Sequence, residues 1–289
     1  MRLLSFDKAG TPTLGVRRDD TVVDLSVAAP DLPGDLMGLL RAGPEALDRA
    51  NRAAADAGAD AVRPAAGLVI HPPIGNPGKI LCVGLNYVDH AAESKHDIPD
   101  YPVMFARFAN TLVGHGQPMI RPRCSTQFDF EGEMVVIVGK GGRHITRAEA
   151  HAHVAGYSIF NEGSIRDYQF KGPQWTMGKN FDATGGFGPD MVSADELPAG
   201  AVGLRLQTRL NGTVVQEAST SDMIFDVAEL IYVISEAITL APGDIIVSGT
   251  PSGVGFARKP PLFMKHGDTC EVEIEGIGTL SNPIRDEAR

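Results

Sequence analysis

The chain opens with short apolar runs and then changes to helical periodicity. In the first 25 residues, apolar runs alternate with turn signals at residues 8–10 and 19–20, which predicts two or three short strands. From about Asp35 to Ala55, alanine and leucine recur at helical spacing until Gly43-Pro44 interrupts them. One or two helices are therefore expected after the first strands.

A passage rich in proline and glycine separates this segment from the remainder of the chain. It comprises residues 63–67 and residues 71–78. Domain boundaries fall in such passages because few contacts cross them. We therefore expect a small N-terminal α/β domain over residues 1–72 and a larger domain over residues 73–289.

The larger part carries the pattern of a mainly β structure with some α, an α+β fold. Lys79–Val83 predicts a short buried strand that ends at Gly84, and Phe128–Val138 predicts a longer one. Thr146 and Glu149 have capping-box spacing, which predicts the start of a short helix.

Further along the chain, turn and cap signals define more elements. The Asn-Gly pair at residues 211–212 predicts a type I′ hairpin, and Asp226 caps a helix expected to run to about Thr239. Ile245–Val247 predicts a strand. The strict alternation of Glu271–Glu275 predicts a strand with its charges toward water.

Composition and charge exclude several functional classes. The net charge of −10 repels polyphosphate and no basic stretch offsets it, so we expect no nucleic-acid partner. No apolar run approaches the roughly 20 residues that a membrane span requires, and the N-terminus becomes polar too soon for a signal peptide. We expect a cytoplasmic protein that does not associate with membranes.

The three cysteines predict neither a disulfide framework nor a zinc site. Cys82, Cys124 and Cys270 are far apart in sequence and lack a matching histidine pattern. We interpret all three as buried thiols in a reducing cytosol. The glycine-rich run 249–255 lacks the ending of a P-loop, and no G-x-S-x-G motif predicts a serine hydrolase.

Acidic residues in the longer predicted strand are the first candidates for chemistry. Side chains two apart on a strand share a face, so Glu131 and Glu133 project together, with Asp129 next to them. Such a pair favours a counter-cation, and its hard oxygens suit Mg²⁺, Mn²⁺ or Ca²⁺ rather than zinc. The alternative is a solvent-facing strand edge, which the apolar run 135–138 disfavours.

A histidine and a glutamate form the second candidate. His90 and Glu93 are three residues apart on a predicted short helix, so their side chains can touch. A carboxylate beside an imidazole fixes its tautomer, which suits a general base. A surface pair without function is the alternative.

Four more polar residues lie close together in sequence. The carboxylate of Glu162 follows a β-type run, and Arg166 and Gln169 share one helix face, where they could bind a carboxylate and a carbonyl. Lys179, drawn into an acidic site, would stabilise an oxyanion. For each of these residues a solvated surface position is the alternative.

Taken together, these residues form motifs in the order typical of the fumarylacetoacetate hydrolase family. The resemblance covers about Gly78–Ile284. It rests on N-Y-x-x-H-x-x-E at 86–93, F-E-G-E at 130–133, G-Y-S-I-F-N-E with R-D-Y-Q at 156–169, G-K-N-F-D at 178–182, S-G-T-P-S-G-V-G at 248–255 and G-D-T-C-E-V-E-I-E-G-I-G-T-L at 267–280.

The resemblance implies a mixed β-roll fold, a homodimer and a divalent cation, Mg²⁺ or Mn²⁺. It implies that the metal ligands are Glu131, Glu133 and Glu162, the last of which is one methylene longer than the commoner aspartate. His90 and Glu93 become the water-activating dyad.

The same resemblance assigns the remaining polar residues. Lys179 becomes the oxyanion stabiliser. Arg166, Gln169 and Thr250 are expected to contact the substrate. So is Arg107, which stands where the family often has lysine, although the two cations are not interchangeable at a bidentate site.

The activity expected first is metal-dependent hydrolysis of a carbon–carbon bond in a 2,4-dioxo acid such as an acylpyruvate. Water activated by His90 would attack the distal carbonyl and release pyruvate, or a related 2-oxo acid, plus a carboxylic acid. The alternative on the same fold is a metal-dependent decarboxylase of an oxaloacetate-type acid, or a keto–enol isomerase. A non-catalytic ligand-binding protein is a further alternative.

Overall fold

The structure is a computed structural model that describes residues 1–93 and 97–288. Its strands are β1 Arg2–Lys8, β2 Thr11–Arg18, β3 Thr21–Asp24, β4 Val62–Pro64, β5 Ile70–His71, β6 Ile80–Gly84, β7 Val103–Arg107, β8 Leu112–Val113, β9 Met119–Arg121, β10 Phe128–Asp129, β11 Gly132–Val138, β12 Val154–Glu162, β13 Ser164–Ile165, β14 Gly185–Ser193, β15 Arg205–Leu210, β16 Thr213–Ser219, β17 Ile245–Val247, β18 Thr269–Ile274 and β19 Gly278–Asp286.

Helices are short and few beside these strands. The α-helices are α1 Leu25–Ala28, α2 Leu36–Arg41, α3 Pro44–Ala55, α4 Val88–Glu93, α5 Arg166–Gln169, α6 Thr176–Lys179 and α7 Val227–Ala237. Short 3₁₀ helices cover Ala109–Thr111, Ala150–His153, Ala194–Glu196, Ala199–Ala201, Thr220–Asp222 and Gly255–Ala257. None of the helices in the described part of the chain combines the length and hydropathy that crossing a bilayer requires.

A large mixed sheet organises the molecule. Its strand order is β4-β3-β2-β1-β14-β12-β11-β17-β6-β7, with β5 added beside β1 and β8 beside β14. A second sheet has the order β16-β15-β18-β19-β9, and β10 pairs with β13 in a two-stranded ribbon. The parallel pairs are β6 with β17, β8 with β14, and β9 with β19. The candidate site lies where the ends of β11 and β12 meet the ribbon.

Most of the local predictions are confirmed. The first strands are β1 to β3, and Gly43, with φ of 87°, separates α2 from α3 as expected. Asn211 and Gly212 have positive φ values and connect β15 to β16. Asp226 caps α7 by accepting from the Glu229 backbone N–H at 2.8 Å, and this helix ends at Ala237 instead of Thr239.

Two local predictions outside the candidate site are wrong. The Thr146 hydroxyl donates to the Glu149 carboxylate at 2.7 Å, so these residues bond each other and the short helix begins only at Ala150. Cys124 is exposed, whereas Cys82 and Cys270 are buried as expected. Burial raises the pKa of the Cys270 thiol to about 12, so this thiol is uncharged.

The N-terminal segment shares a sheet and a core with the larger part. Strand β1 pairs antiparallel with β14, and one hydrophobic core contains Leu14 and Leu39 together with Val135 and Phe187. The division at residue 72 stays a prediction. The shared strands and side chains lead us to expect that both parts unfold together.

Replacing Leu39 by alanine tests this expectation. Leu39 is fully buried in α2, so the change should lower the free energy of unfolding by about 2–5 kcal/mol through lost burial and the cavity left behind. Trp175, the single tryptophan, lies in the larger part. Its fluorescence in a urea titration should show the unfolding transition at a lower urea concentration than in the unmodified protein. Val69→Ala, at an exposed position, is the control. A shift seen by circular dichroism but not by Trp175 would show independent unfolding.

Candidate active site

Three glutamates converge at the centre of the site. Glu133 lies on β11, Glu131 precedes that strand, and Glu162 is the last residue of β12. Their exposed fractions are 3% for Glu131 and 1% for Glu133 and Glu162, and one carboxylate oxygen from each lies within 4.8 Å of the others. Burial excludes the solvent-facing alternative for all three.

Strand pairing and one glycine bring these acids together. Gly132 on β11 pairs with Asn161 on β12, and the Asn161 side-chain oxygen accepts from the Glu131 backbone N–H at 3.2 Å. The Glu162 N–H donates to the Glu131 carbonyl at 2.8 Å. A Cβ at Gly132 would lie 2.1 Å from the Thr208 hydroxyl oxygen, so only glycine lets the two sheets approach here.

The long strand predicted over Phe128–Val138 is wrong at its centre. It breaks after Asp129 because β10 pairs with β13, outside the large sheet, and the Phe130 N–H donates to the Asp129 side chain at 2.8 Å. Glu131 therefore lies in the irregular segment between β10 and β11. It approaches Glu133 because the strand is interrupted there, and not because the two residues share a strand face.

Buried cations surround the acids. Lys179 Nζ donates to Glu131 Oε2 at 2.6 Å and to Glu162 Oε2 at 3.0 Å. Arg166 Nε donates to Asp129 Oδ2 at 2.8 Å, and its Nη2 lies 2.6 Å from Glu131 Oε1 without the angle of a hydrogen bond. Asp129 therefore positions Arg166 and does not join the three glutamates.

The carboxylates differ in their expected protonation. Burial raises the pKa of Glu131, but Arg166 and Lys179 outweigh burial and hold this pKa well below its usual range. Burial, with the charges of Glu162 and Glu131, raises the pKa of Glu133 well above its usual range. Burial and these two carboxylates therefore disfavour the charged form of Glu133, and a nearby cation would favour it.

His90 and Glu93 form the predicted pair on α4. His90 Nδ1 lies 2.9 Å from Glu93 Oε1, and the Gly253 backbone N–H donates to both oxygens of the same carboxylate, at 3.0 and 2.9 Å. His90 is buried, with 7% of its surface exposed, and it lines the cavity that contains the three glutamates. Its Nε2 has no hydrogen bond to any described residue, so this atom is available to a bound molecule.

A comparison with protein-family models supports the resemblance seen in the sequence. Residues 79–285 match the model described as the fumarylacetoacetate (FAA) hydrolase C-terminal domain. The chain belongs to the fumarylacetoacetate hydrolase family. The sheet-dominated fold with few helices agrees with this family's mixed fold, so the predicted fold class is confirmed.

Curated relatives of this family member match over nearly its whole length. "Oxaloacetate tautomerase fahd2, mitochondrial" from Xenopus laevis is 37% identical over 98% of this chain and 90% of its own length. "Oxaloacetate tautomerase FAHD2A, mitochondrial" from Homo sapiens is 38% identical over 98% of this chain and 91% of its own length.

Solved structures of the family have the same fold. A fumarylacetoacetate hydrolase from Exiguobacterium antarcticum has a TM-score of 0.86 and 32% identity, over 99% of this chain and 100% of that one. A 2-hydroxyhepta-2,4-diene-1,7-dioate isomerase from Mycobacterium marinum has a TM-score of 0.78 and 30% identity, over all of both chains. The family therefore contains both hydrolases and isomerases, and this chain is an enzyme of that family.

The three glutamates fit the divalent cation that the family implies. Glu162 Oε1 is buried and has no hydrogen bond within the described part of the chain, so it has lone pairs free for a metal. The donors are hard carboxylate oxygens, the type that Mg²⁺ and Mn²⁺ prefer. Burial, with the charges of Glu162 and Glu131, raises the pKa of Glu133, and a divalent ion would offset those two carboxylate charges. Which metal binds stays a prediction.

Three of the four predicted substrate contacts line the same cavity, a narrow cleft of about 40 Å³ that is partly open to solvent. Arg166 Nη1 donates to Gln169 Oε1 at 2.8 Å, so these residues hold each other. The Thr250 hydroxyl donates to the Gly132 carbonyl at 3.0 Å and accepts from Gln216 Nε2 at 2.9 Å. Their contact with substrate stays a prediction.

Arg107, the fourth predicted contact, lies behind Glu162 and not on the cavity surface. Its side chain is fully buried, with Nη1 3.6 Å from Glu162 Oε1. Nη2 donates to the Thr184 hydroxyl at 2.9 Å, and Nη1 donates to the Gly163 carbonyl at 3.2 Å. This placement gives Arg107 a contact with the predicted metal ligand, so its role toward substrate stays a prediction.

Sequence reasoning missed the aromatic side chains of the cavity. Phe105, Phe170, Trp175 and Phe256 all line it. Three of them are close in sequence to the motifs. Phe170 follows Gln169, Trp175 precedes Lys179 by four residues, and Phe256 follows the glycine-rich run 249–255. Their proximity in sequence to those motifs was the available signal.

Proposed function

We propose that this protein is a divalent-metal-dependent keto–enol tautomerase of a small 2-oxo acid, of the oxaloacetate type. The observation that carries the proposal is the position of His90, which faces the three glutamates and Lys179 across one cavity. The relatives named oxaloacetate tautomerase align with 98% of this chain and support the choice of isomerisation over hydrolysis.

Tautomerisation moves one proton between carbon and oxygen. The C3–H bond of the keto form breaks, an O–H bond forms on the 2-oxo oxygen, and no other atom is lost or gained. His90, oriented by Glu93, accepts the C3 proton on Nε2 and then delivers a proton to the 2-oxo oxygen, so the imidazole ends the step neutral, and the same transfers run backwards in the reverse direction. Glu93 is in turn fixed by the Gly253 N–H, so the imidazole has one preferred orientation.

Lys179 stabilises the charge that develops on oxygen. An ammonium group has three donors, and Glu131 and Glu162 use two of them, which leaves one N–H for the substrate oxygen. A divalent ion held by Glu131, Glu133 and Glu162 would supply Lewis-acid polarisation of the 2-oxo group. Arg166 and Gln169 lie beside these groups and would bind the C1 carboxylate.

Hydrolysis, the activity expected first from the sequence, remains the second candidate. The same His90 could activate water, and the Exiguobacterium antarcticum structure bears the name of a hydrolase at 32% identity. The two activities differ in their products, since hydrolysis breaks a carbon–carbon bond and tautomerisation does not.

We propose that the protein forms a homodimer and works in the cytoplasm. The curated relatives are named as mitochondrial proteins, whereas the composition of this chain led us to expect the cytoplasm.

An assay of three reactions tests the proposal. Enol oxaloacetate, added to the Mn²⁺-loaded protein, should lose its enol absorbance faster than in buffer, and EDTA should abolish the acceleration. Pyruvate should not accumulate from oxaloacetate, and an acylpyruvate should release no carboxylic acid. Pyruvate formed in step with oxaloacetate loss would establish a decarboxylase instead, and acid plus pyruvate from the acylpyruvate would establish the hydrolase.

A further inference from the structure

Arg107 is a buried cation that lies outside the cavity lining. It is the last residue of β7, and its side chain has no exposed surface. Removing a guanidinium from water is costly unless an opposite charge compensates for it. Among the described residues, Glu162 is the only one with a carboxylate oxygen within 4.0 Å of the Arg107 guanidinium. The fold therefore pairs this arginine with a predicted metal ligand.

Neutral groups hold the guanidinium in this position. Its Nε donates to the Thr111 hydroxyl at 3.3 Å, Nη1 donates to the Gly163 carbonyl at 3.2 Å and Nη2 donates to the Thr184 hydroxyl at 2.9 Å. A Cβ at Gly185 would lie 3.1 Å from Nη2, so strand β14 packs closely against the same group. These contacts fix the orientation of Arg107 without supplying negative charge.

The two oxygens of Glu162 are held differently. Lys179 Nζ donates to Oε2 at 3.0 Å. Oε1 has no hydrogen bond within the described part of the chain and lies 3.6 Å from Arg107 Nη1, which is too far for a hydrogen bond. Arg107 therefore acts on this carboxylate through charge. A metal ion bound to Glu162 would be repelled by the same guanidinium.

The balance of charge around the cavity depends on Arg107. Four carboxylates and three cations are buried there together. They are Asp129, Glu131, Glu133 and Glu162, and Arg107, Arg166 and Lys179. Without Arg107, only two of these cations would face the four carboxylates. A divalent ion bound to the glutamates would restore the lost positive charge.

We propose that Arg107 is the internal counter-ion of the metal site, which neutralises Glu162 when no metal is bound and competes with the metal for that carboxylate. Loss of this cation should then destabilise the metal-free fold and, at the same time, tighten metal binding. If the guanidinium served only to hold β7 in place, its removal would loosen the site and weaken metal binding. The inference rests on the metal requirement of the proposed function, and it applies to tautomerisation and hydrolysis alike.

Metal affinity is the first measurement. Arg107→Met removes the charge from an unbranched side chain, so Mn²⁺ should bind about tenfold more tightly in isothermal titration. Arg107→Lys keeps the charge, and because the contact with Glu162 is not a hydrogen bond, its Mn²⁺ affinity should stay within about threefold of the unmodified protein. Arg209→Met is the matched control, since Arg209 pairs with Glu271 at 3.2 Å on the sheet surface, and it should leave the affinity unchanged.

Two results of this titration would be decisive against the proposals. Mn²⁺ binding in Arg107→Met that is equal to or weaker than in the unmodified protein would contradict the competition and leave the proposed function intact. Failure of both proteins to bind Mn²⁺ would overturn the proposed function itself.

A double-mutant cycle in EDTA tests the counter-ion in the absence of metal. Arg107→Met should raise the unfolded-to-folded ratio about a hundredfold, because a buried carboxylate loses its partner. In the Glu162→Gln background the same change should cost at least about tenfold less, since no charge on residue 162 remains to be neutralised. Urea unfolding followed by circular dichroism measures all four proteins.

A double variant that folds where Arg107→Met alone does not would show the same coupling between the two side chains. Equal losses in both backgrounds would show that Arg107 only supports the fold through its neutral contacts. That result would overturn this inference while the proposed function stands.

Discussion

Glu133→Gln should abolish tight metal binding and lower kcat/KM about a thousandfold, since a metal ligand and several kcal/mol of transition-state stabilisation are lost together. The metal-free fold should survive. The only hydrogen bond that Glu133 accepts within the described residues comes from the Gly249 N–H, at 2.6 Å, and a glutamine oxygen can accept it as well. Burial and the neighbouring carboxylates raise the pKa of Glu133, so they disfavour its charged form, and the uncharged glutamine should be tolerated there in the metal-free fold.

Isothermal titration with Mn²⁺ measures the first effect, and thermal unfolding in EDTA checks the fold. The matched control is Glu271→Gln, the same change on β18, where the carboxylate pairs with Arg209 at 3.2 Å on the sheet surface. It should bind Mn²⁺ like the unmodified protein. Unchanged Mn²⁺ affinity in Glu133→Gln would show that the metal binds elsewhere or not at all.

His90→Gln has the second largest expected effect. Loss of the general base should lower kcat for tautomerisation by about 10²–10⁴, whereas Mn²⁺ affinity should change less than about threefold because the three carboxylates remain. Glu93→Gln should give a smaller loss, since glutamine still contacts the imidazole but no longer offers a carboxylate to Nδ1. The pattern to measure is therefore reduced turnover at unchanged metal affinity.

His151→Gln is the control, because this histidine is exposed on the Ala150–His153 helix, away from the cavity lining. The His90 variant also separates the two candidate activities. If it loses acylpyruvate hydrolysis yet tautomerises oxaloacetate at the original rate, then His90 activates water and another group moves the C3 proton. That result would contradict the mechanism proposed above.

Much of the site could be predicted from the sequence because its residues occur in short, ordered motifs. The pair of His90 and Glu93 follows from helical spacing, and the structure places the two side chains in contact. The three glutamates come from two separated motifs, and their convergence depends on the pairing of β11 with β12. The local pattern indicates the apolar runs of β11 and β12 but not that these two strands pair.

The remaining features depend on contacts between distant segments. The break after Asp129 follows from pairing of β10 with β13, which the apolar pattern of residues 128–138 does not encode. Arg107 approaches Glu162 from 55 positions away in sequence, so no local spacing indicates that contact. The exposure of Cys124 likewise depends on how its loop lies on the fold.

The loop over residues 248–256 couples the position of the predicted metal ligand Glu133 to that of the His90–Glu93 pair. Within seven residues, the Gly249 N–H donates to Glu133, the Gly253 N–H donates to Glu93, and the Gly255 N–H donates to Asp129 at 2.7 Å. A shift of this one loop would therefore move the metal ligand, the partner of the base and the support of Arg166 at the same time. Phe170 and Trp175 also line the cavity, at the end of α5 and the start of α6, so substitutions there can alter the cavity without moving these three supports.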